Sequence, residues 1–587
     1  MCGIAGFFNL NNHSLDKGAE TVAAAMAASL RHRGPDAAGM WLQPEAGIAL
    51  GHTRLSIQDP SPGGDQPMVS SCGRFVISYN GEIYNSAALK KRISQKVNIA
   101  WRGHSDTEVL LEACAVLGIA EALNLSNGMF AFALWDKKER TLFLARDRMG
   151  VKPLYWGKFG AALIFASELK AFKHHPAFIA DISLNSLAAL MHYCFIPDPH
   201  SIFNNVYKLE AGHYLKISAA QAVDDLVYWD VLAQARWGAE NRVRDFPQAL
   251  DELHFLLKDA VSINMASDVP LGALLSGGVD SSLIVALMQE ASARPVRTFS
   301  IGFAEQEYNE APFAKEVANY LGTDHTELYL TYQDALDVIP ELPAIYDEPF
   351  ADVSQIPTFL VSRLTRRHVT VALSGDGGDE LFGGYPRYFR KVNGRGLAYL
   401  DECMHHWQGN NPLIPGGSLP AHRYGDEIID AAFPDDVELR QFLDTNYYLP
   451  SDILVKVDRA GMAVSLEVRP PLLDHRVFAF AWRMPPELRR ASGINKYPLR
   501  YLLDKYIPRR LTDRPKMGFG VPIDHWLRGP LRAWAEDLLR PERIKRDGFF
   551  NSGVIARVWR DFLAGQARQY WLWDVLMFQT WLDYNKY

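Results

Sequence analysis

From Phe246 onward the chain alternates short apolar runs with helical patterns, and two of those runs empty into glycine-rich, acidic turns. Pro270–Leu275 leads into Ser276-Gly-Gly-Val-Asp-Ser-Ser282, and Val369–Leu373 leads into Ser374-Gly-Asp-Gly-Gly-Asp-Glu380. Val296–Ile301 is a further strand-like run, and Phe246–Ala266 and Leu283–Glu290 carry helical spacing. Strands that alternate with helices predict a parallel sheet. Beyond Tyr385 the pattern is mainly helical up to a tryptophan-rich end. The first part of the chain is different. Gly47–Leu50, Phe75–Tyr79, Ala131–Trp135, Thr141–Ala145 and Leu163–Ala166 are β-type runs between turn residues, which predicts antiparallel sheets. Asn80-Gly81 reads there as a hairpin turn. Two helical stretches, Gly18–Arg31 and Thr107–Leu117, interrupt the strands.

At 587 residues the chain is too long for one core. The expected division is a first domain over 1–215, a linker over 216–245 that includes the polar stretch Gln234–Asp245, and a second domain over 246–587. Lys plus Arg number 61 against 68 Asp plus Glu, so a basic nucleic-acid footprint is not expected. Five widely spaced cysteines without a CxxC pair suggest neither a disulfide framework nor a zinc site. No run approaches the length of a membrane span, and no signal segment opens the chain. A soluble, cytoplasmic protein is the expectation.

The Ser276–Ser282 turn has the make-up of a phosphate nest. Ser276, Gly277 and Gly278 follow a strand, and Asp280, Ser281 and Ser282 open a helix, so several N–H groups and the helix dipole aim at one point. Asp280 would repel phosphate unless a cation joined them, and magnesium held by one or two carboxylates resolves that conflict. Asp280 and Ser281 could also simply cap the helix. A GxxxxGK[ST] lysine is missing, so the turn is not a Walker site. It resembles instead the SGGxDS loop of the ATP-pyrophosphatases. The second turn, with Ser374, Gly375 and Asp379, also ends a probable parallel strand, where such sheets collect ligands. Asp280 and Asp379 are then candidate magnesium ligands across one crevice.

Cys2 supplies a second chemistry. Once Met1 is removed it carries both a thiol and a free α-amine, and that amine titrates at about 7.7–8.0. An amine beside a nucleophile activates it without a histidine.

Cys2, Asn80-Gly-Glu82 and SGGVDSS in this order resemble the glutamine-hydrolysing asparagine synthetase family over nearly the whole chain. Arg31-His-Arg-Gly-Pro-Asp36, Gly51-His-Thr-Arg-Leu-Ser56, Asn80-Gly-Glu-Ile-Tyr-Asn85 and Ser105-Asp-Thr-Glu108 are similar to its glutaminase half. SGDGGDE, Lys456-Val-Asp-Arg459, Ser465-Leu-Glu-Val-Arg469 and Lys496 are similar to its synthetase half. The resemblance implies an N-terminal-nucleophile αββα sandwich followed by an α/β ATP-pyrophosphatase domain with a helical C-terminal part.

The resemblance also implies roles. Cys2 would attack glutamine, with Asn80 and Gly81 as oxyanion hole, and Arg54, Asn80, Glu82 and Asp106 would bind the substrate. Ser276, Gly277, Gly278, Asp280, Ser281, Ser282, Ser374 and Gly375 would hold ATP and pyrophosphate, with magnesium on Asp280 and Asp379. Lys496 would stabilise the pentacovalent phosphate, and Asp376 would lie beside the acceptor. The implied reaction amidates a carboxylate through an acyl-adenylate, with ammonia crossing a dry interdomain tunnel. A homodimer is the family expectation.

Aspartate is the first acceptor to expect. Asp376 stands where well-characterised members carry glutamate, and Arg469-Pro-Pro-Leu-Leu-Asp474 replaces Arg-Val-Pro-Phe-Leu-Asp. Members with such variants often amidate other carboxylates, sugar acids among them. Glutamine–phosphosugar aminotransferases lack the SGGxDS loop, and β-lactam synthetases lack the cysteine.

Overall fold

The computed structural model describes residues 2–10, 14–220, 222–303, 309–390, 395–404, 407, 412–413, 417–491, 493–514, 518, 520–567 and 570–586. Among the described residues the N-terminal part contains twelve strands. They are β1 (Gly3–Asn9), β2 (Ala37–Gln43), β3 (Ile48–Arg54), β4 (Met68–Val69), β5 (Phe75–Ile83), β6 (Gly128–Asp136), β7 (Thr141–Arg146), β8 (Tyr155–Phe159), β9 (Ala162–Ala166), β10 (Val206–Lys208), β11 (His213–Ser218) and β12 (Val223–Val227). One sheet runs β10-β8-β9-β1-β3-β2 and the other β12-β11-β7-β6-β5-β4, with antiparallel pairing in both.

Period-2 patterning explains the layers. Ile4, Phe8, Leu50 and Phe165 of the first sheet meet Val76, Trp135, Leu144 and Ile217 of the second in one dry core. The outer face of the second sheet packs Ile77, Tyr79 and Phe132 against Leu89, Val109 and Leu110. These three lie on helices Ser86–Ser94 and Asp106–Leu117. On the first sheet, Ala5, Phe7 and Ala49 are covered by Ala19, Ala23 and Met26 of helix Ala19–Ala28. Four layers result, αββα. Each fully buried large apolar side chain contributes about 1.5–3 kcal/mol.

Two local expectations change. Asn80-Gly81 is no turn, because β5 runs straight through it and pairs Asn80 with Ala131 and Gly81 with Phe130. The backbone of β6 crosses so close that a side chain at Gly81 would overlap Met129 O and lie 2.6 Å from Phe130 Cα. Glycine serves close approach here. Residues 216–245, expected as a linker, carry β12 on the sheet and helix Val231–Glu240.

Among the described residues the C-terminal part is built on five parallel strands: β13 (Leu271–Leu274), β14 (Arg297–Phe303), β15 (Asp324–Leu330), β16 (Val371–Leu373) and β17 (Glu467–Arg469). Their order is β15-β14-β13-β16-β17. The sheet grows both ways from β13, so its topological switch lies at the C-terminal ends of β13 and β16. Both glycine-rich turns emerge there. From residue 378 on, helices dominate, ending with Tyr570–Asn585. Among the described residues, no helix is long and apolar enough to cross a membrane.

Candidate active sites

Cys2 immediately precedes β1 and is buried. Its backbone N–H donates to Asn80 Oδ1 at 2.8 Å. Asn80 Nδ2 is buried, and no hydrogen-bond partner for it occurs among the described residues. An N–H donor without a partner beside a nucleophile can receive a developing oxyanion. Burial pushes the Cys2 thiol up, so thiolate formation needs a base at hand.

Around this pair the other expected residues split into two groups. Asn80 and Glu82 share one face of β5 by the period-2 rule. Glu82 is buried and accepts from Gln58 Nε2, and its Oε1 lies 3.2 Å from Arg469 Nη2. Burial holds its carboxyl well above the usual range, with Arg469 opposing. Asp106 opens its helix after the Ser105 cap and accepts from Tyr79 Oη and Ile83 N, both at 2.8 Å. Burial raises it too. Arg54 ends β3 and is turned to its own loop: it donates to Ser61 O at 2.9 Å, to Asp59 O, and to the half-exposed Asp65 carboxylate at 2.7 Å. Asp65 therefore already gives Arg54 the carboxylate contact expected from glutamine.

The synthetase turns lie side by side because β13 pairs with β16 in parallel register, Ala273 with Leu373. Ser276 Oγ and Ser281 Oγ are 3.0 Å apart across the first turn, and Gly278 N donates to Ser276 Oγ at 3.3 Å. Helix Val279–Ala291 begins there with Asp280 and Ser281 in its first turn. The second turn presses on the first. A side chain at Gly378 would lie 2.5 Å from Asp280 Cγ, which explains the glycine. Lys496 Nζ then bridges Asp280 Oδ2 and Asp379 Oδ1, the latter at 2.7 Å. Gly384 leaves the space, since a side chain there would overlap both Asp379 Oδ1 and Lys496 Cε. Burial alone would lower the Lys496 ammonium; Asp280 and Asp379 reverse this and raise it. Two carboxylates from two loops that converge on one cation also suit magnesium, a hard ion that takes carboxylate and phosphate oxygens.

A cleft of ≈ 970 Å³ contains these groups together with Asp376 and Lys456. Asp376 Oδ2 accepts from Ser374 Oγ at 2.7 Å, and burial raises its carboxyl. Lys456 pairs with Asp352, whose carboxyl also accepts from Ser354 N at 2.9 Å and Ser354 Oγ at 2.8 Å. Burial would raise Asp352, yet Lys456 outweighs it and holds the carboxyl low. Neither residue was expected in a site. Lys456 belongs to a motif that the sequence shows, but nothing in its spacing announces the partner.

Buried charge and two small cavities lie between the two sites. Arg33 donates to Cys2 O at 3.1 Å, to Glu168 Oε1 at 2.7 Å, and with two nitrogens to Asp458, at 2.8 and 3.1 Å. Asp458 and Lys456 share helix Leu454–Met462. A cavity with Val151, Asp376, Val457 and Pro470 in its wall adjoins the cleft, with which it shares Asp376 and Val457. The next cavity shares Val151 and Pro470 and reaches Tyr84 and Met129, beside the β5–β6 pairing at Gly81.

Comparison with known proteins matches residues 252–583 to the asparagine synthase family and residues 1–229 to the glutamine amidotransferase domain family. Similar proteins include asparagine synthetase (glutamine-hydrolyzing) 1 of Bacillus subtilis, 31% identical over 100% of this chain and 97% of its own. A putative asparagine synthetase (glutamine-hydrolyzing) of Mycobacterium bovis is 33% identical over 99% and 97%. Amidase chry2 of Gibberella zeae is 26% identical over 94% and 93%.

Proposed function

Since the chain belongs to the glutamine-hydrolysing asparagine synthase family, we propose that it amidates aspartate to asparagine, using glutamine as nitrogen donor and ATP as activator. The observation that carries this reading is the meeting of Asp280, Asp379 and Lys496 in the cleft that also holds Asp376. Residues 1–215 act as glutaminase and 246–587 as synthetase.

With Met1 removed, the Cys2 amine takes the thiol proton and sulfur attacks the glutamine amide carbon. Asn80 Nδ2 and Gly81 N–H receive the oxyanion, ammonia leaves, and water cleaves the thioester to glutamate. Glu82 and Asp106 attract the substrate ammonium. Its carboxylate takes the place of Asp65 on Arg54.

In the cleft an acceptor carboxylate oxygen attacks the α-phosphorus of ATP, and the bond to the bridging oxygen of pyrophosphate breaks. Ser276, Gly277, Gly278, Ser281, Ser282, Ser374 and Gly375 cradle the phosphates, and Lys496 balances charge on the reacting phosphoryl group. Asp280 and Asp379 would hold magnesium, which screens the phosphates when bound. Ammonia then attacks the acyl carbon, AMP leaves, and a proton is lost to give the amide. The succession of small cavities from Met129 to Asp376 is the proposed ammonia route.

Asp376 favours keeping a second acceptor class in view, because its carboxylate is shorter than the family's glutamate. The test supplies ATP, magnesium and glutamine with aspartate, a uronic acid or a peptide carboxylate, and follows pyrophosphate and amide. Pyrophosphate and asparagine with aspartate support the reading. Turnover of the uronic acid alone moves the acceptor, and no pyrophosphate with any acid ends the synthetase assignment.

A further inference from the structure

Arg469 lies in the synthetase half but aims one arm into the glutaminase half. It is wholly buried at the end of β17. Nε donates to Glu467 Oε1 at 2.6 Å, and Nη1 donates to the carbonyls of Asn264 at 2.8 Å and Ala266 at 2.7 Å. These contacts fix the plane of the guanidinium. The remaining nitrogen, Nη2, is then delivered 3.2 Å from Glu82 Oε1.

Glu82 needs that contact. Its carboxylate is buried and faces two further acids, Glu467 and Asp106, both of which favour its neutral form. A buried carboxylate stays charged only when a cation or strong donors hold it. Its side-chain donor is Gln58, a neutral amide, and Arg469 is the largest of the positive charges that favour its charged form. Arg469 also anchors the second synthetase turn, since its carbonyl accepts from Ser374 N at 2.9 Å.

We propose that Arg469 is a positioning residue of the glutamine site, contributed by the synthetase half, which aims the Glu82 carboxyl for the substrate ammonium and opposes the neutral form that its burial favours. This rests on Glu82 binding glutamine as proposed above. Arg469 touches no reacting atom in this role, so its loss weakens glutamine binding rather than the chemistry at Cys2 or in the ATP cleft.

The test compares the full-length enzyme with Arg469→Lys, Arg469→Met, Glu82→Gln and the Arg469→Lys/Glu82→Gln double variant. Glutamate formation gives kcat and KM for glutamine, and amidation driven by an ammonium salt reports the synthetase half. Arg469→Lys should raise the glutamine KM about ten- to a hundredfold, the range for one charge-assisted contact, with kcat and ammonia-driven amidation within about threefold. Arg469→Met should raise it at least as far. The double variant should be no worse than Glu82→Gln alone, as expected when two residues act through one contact.

An unchanged glutamine KM in Arg469→Lys overturns the proposal, as does a parallel fall of both activities, which would mark a purely structural residue. If Arg469→Met does not fold, the lysine variant decides. Cys2→Ala separates the two levels: persistent glutamate formation there would sink the glutaminase reading itself, whereas its loss beside an unmoved KM sinks only the role of Arg469.

Discussion

The ammonium of Lys496 stands between Asp280 and Asp379, 2.7 Å from Asp379 Oδ1, and so ties the turn after β13 to the turn after β16. The two carboxylates share one face of the cleft, and neither turn alone would bring them together. Their convergence leads to the first expected outcome. Asp280→Asn and Asp379→Asn should each lower pyrophosphate release by about 10²-fold or more, the scale of losing one electrostatic contact to the transition state. An amide is also a poorer partner for magnesium. Glutamate formation should persist in both variants. Normal magnesium-dependent pyrophosphate release in either would remove that aspartate from the site.

Much of this arrangement is legible in the sequence, and the reason is local. SGGVDSS and SGDGGDE are strand–turn–helix segments whose short-range chemistry already points N–H groups and carboxylates outward. Lys496 is different: its motif can be recognised, but its position between two aspartates is set by the tertiary fold. Asn80-Gly81 misleads for the opposite reason. Its local chemistry favours a turn, yet the adjacent backbone of β6 and the bond from Cys2 N to Asn80 Oδ1 hold it in a strand. β15 is not legible in the sequence, because an edge strand with Glu327 and exposed Tyr329 shows no clean alternation. The pairs Arg33–Asp458 and Lys456–Asp352 lie 425 and 104 residues apart in sequence, and no spacing rule reaches them.

Cys2 and Asn80 should separate the two activities. Cys2→Ala should abolish glutamine-driven amidation and leave ammonia-driven amidation largely intact. Asn80→Ala should cut glutamate formation by about 10²–10³, the usual cost of one oxyanion donor. Product formed with glutamine, and then with an ammonium salt at raised pH, checks both. Full glutamine activity in Cys2→Ala would exclude it as nucleophile.

The charge cluster between the domains carries a stability prediction with a definite pH window. Glu168 is buried among His32 Nε2 at 3.0 Å, Arg33 at 2.7 Å, Lys170 at 2.7 Å and Arg459 at 2.9 Å. Burial would raise its carboxyl; Lys170, His32 and Arg459 overcome this and hold it well below the ordinary range. A carboxyl lowered in the folded state stabilises it fully above the unfolded value, about 4.3. That contribution fades as pH falls from there through the folded value. Glu168→Gln should therefore cost about 3–5 kcal/mol at neutral pH, the scale of breaking a buried pair. Thermal melts should show the gap from wild type present at neutral pH and narrowing below about 4.3. A gap that keeps its full size or grows as pH falls well below that value would contradict this assignment.

Asp376 decides how far the acceptor can depart from aspartate. Its carboxylate is held by Ser374 Oγ at 2.7 Å, at a point where the ATP cleft and the first apolar cavity share a wall. Glutamate would carry the charge about 1–1.5 Å further, and a misplacement near 1 Å can cost on the order of 10²-fold in rate. The Ser276–Ser282 turn follows the neighbouring strand and keeps its own contacts. Asp376→Glu should thus shift the kcat/KM ratio between aspartate and a uronic acid, while KM for ATP stays within a few-fold. An unchanged ratio would mean that the shorter side chain is neutral toward the acceptor. Selectivity would then have to come from another wall of the cleft, where Asp352 and Lys456 form a charged pair.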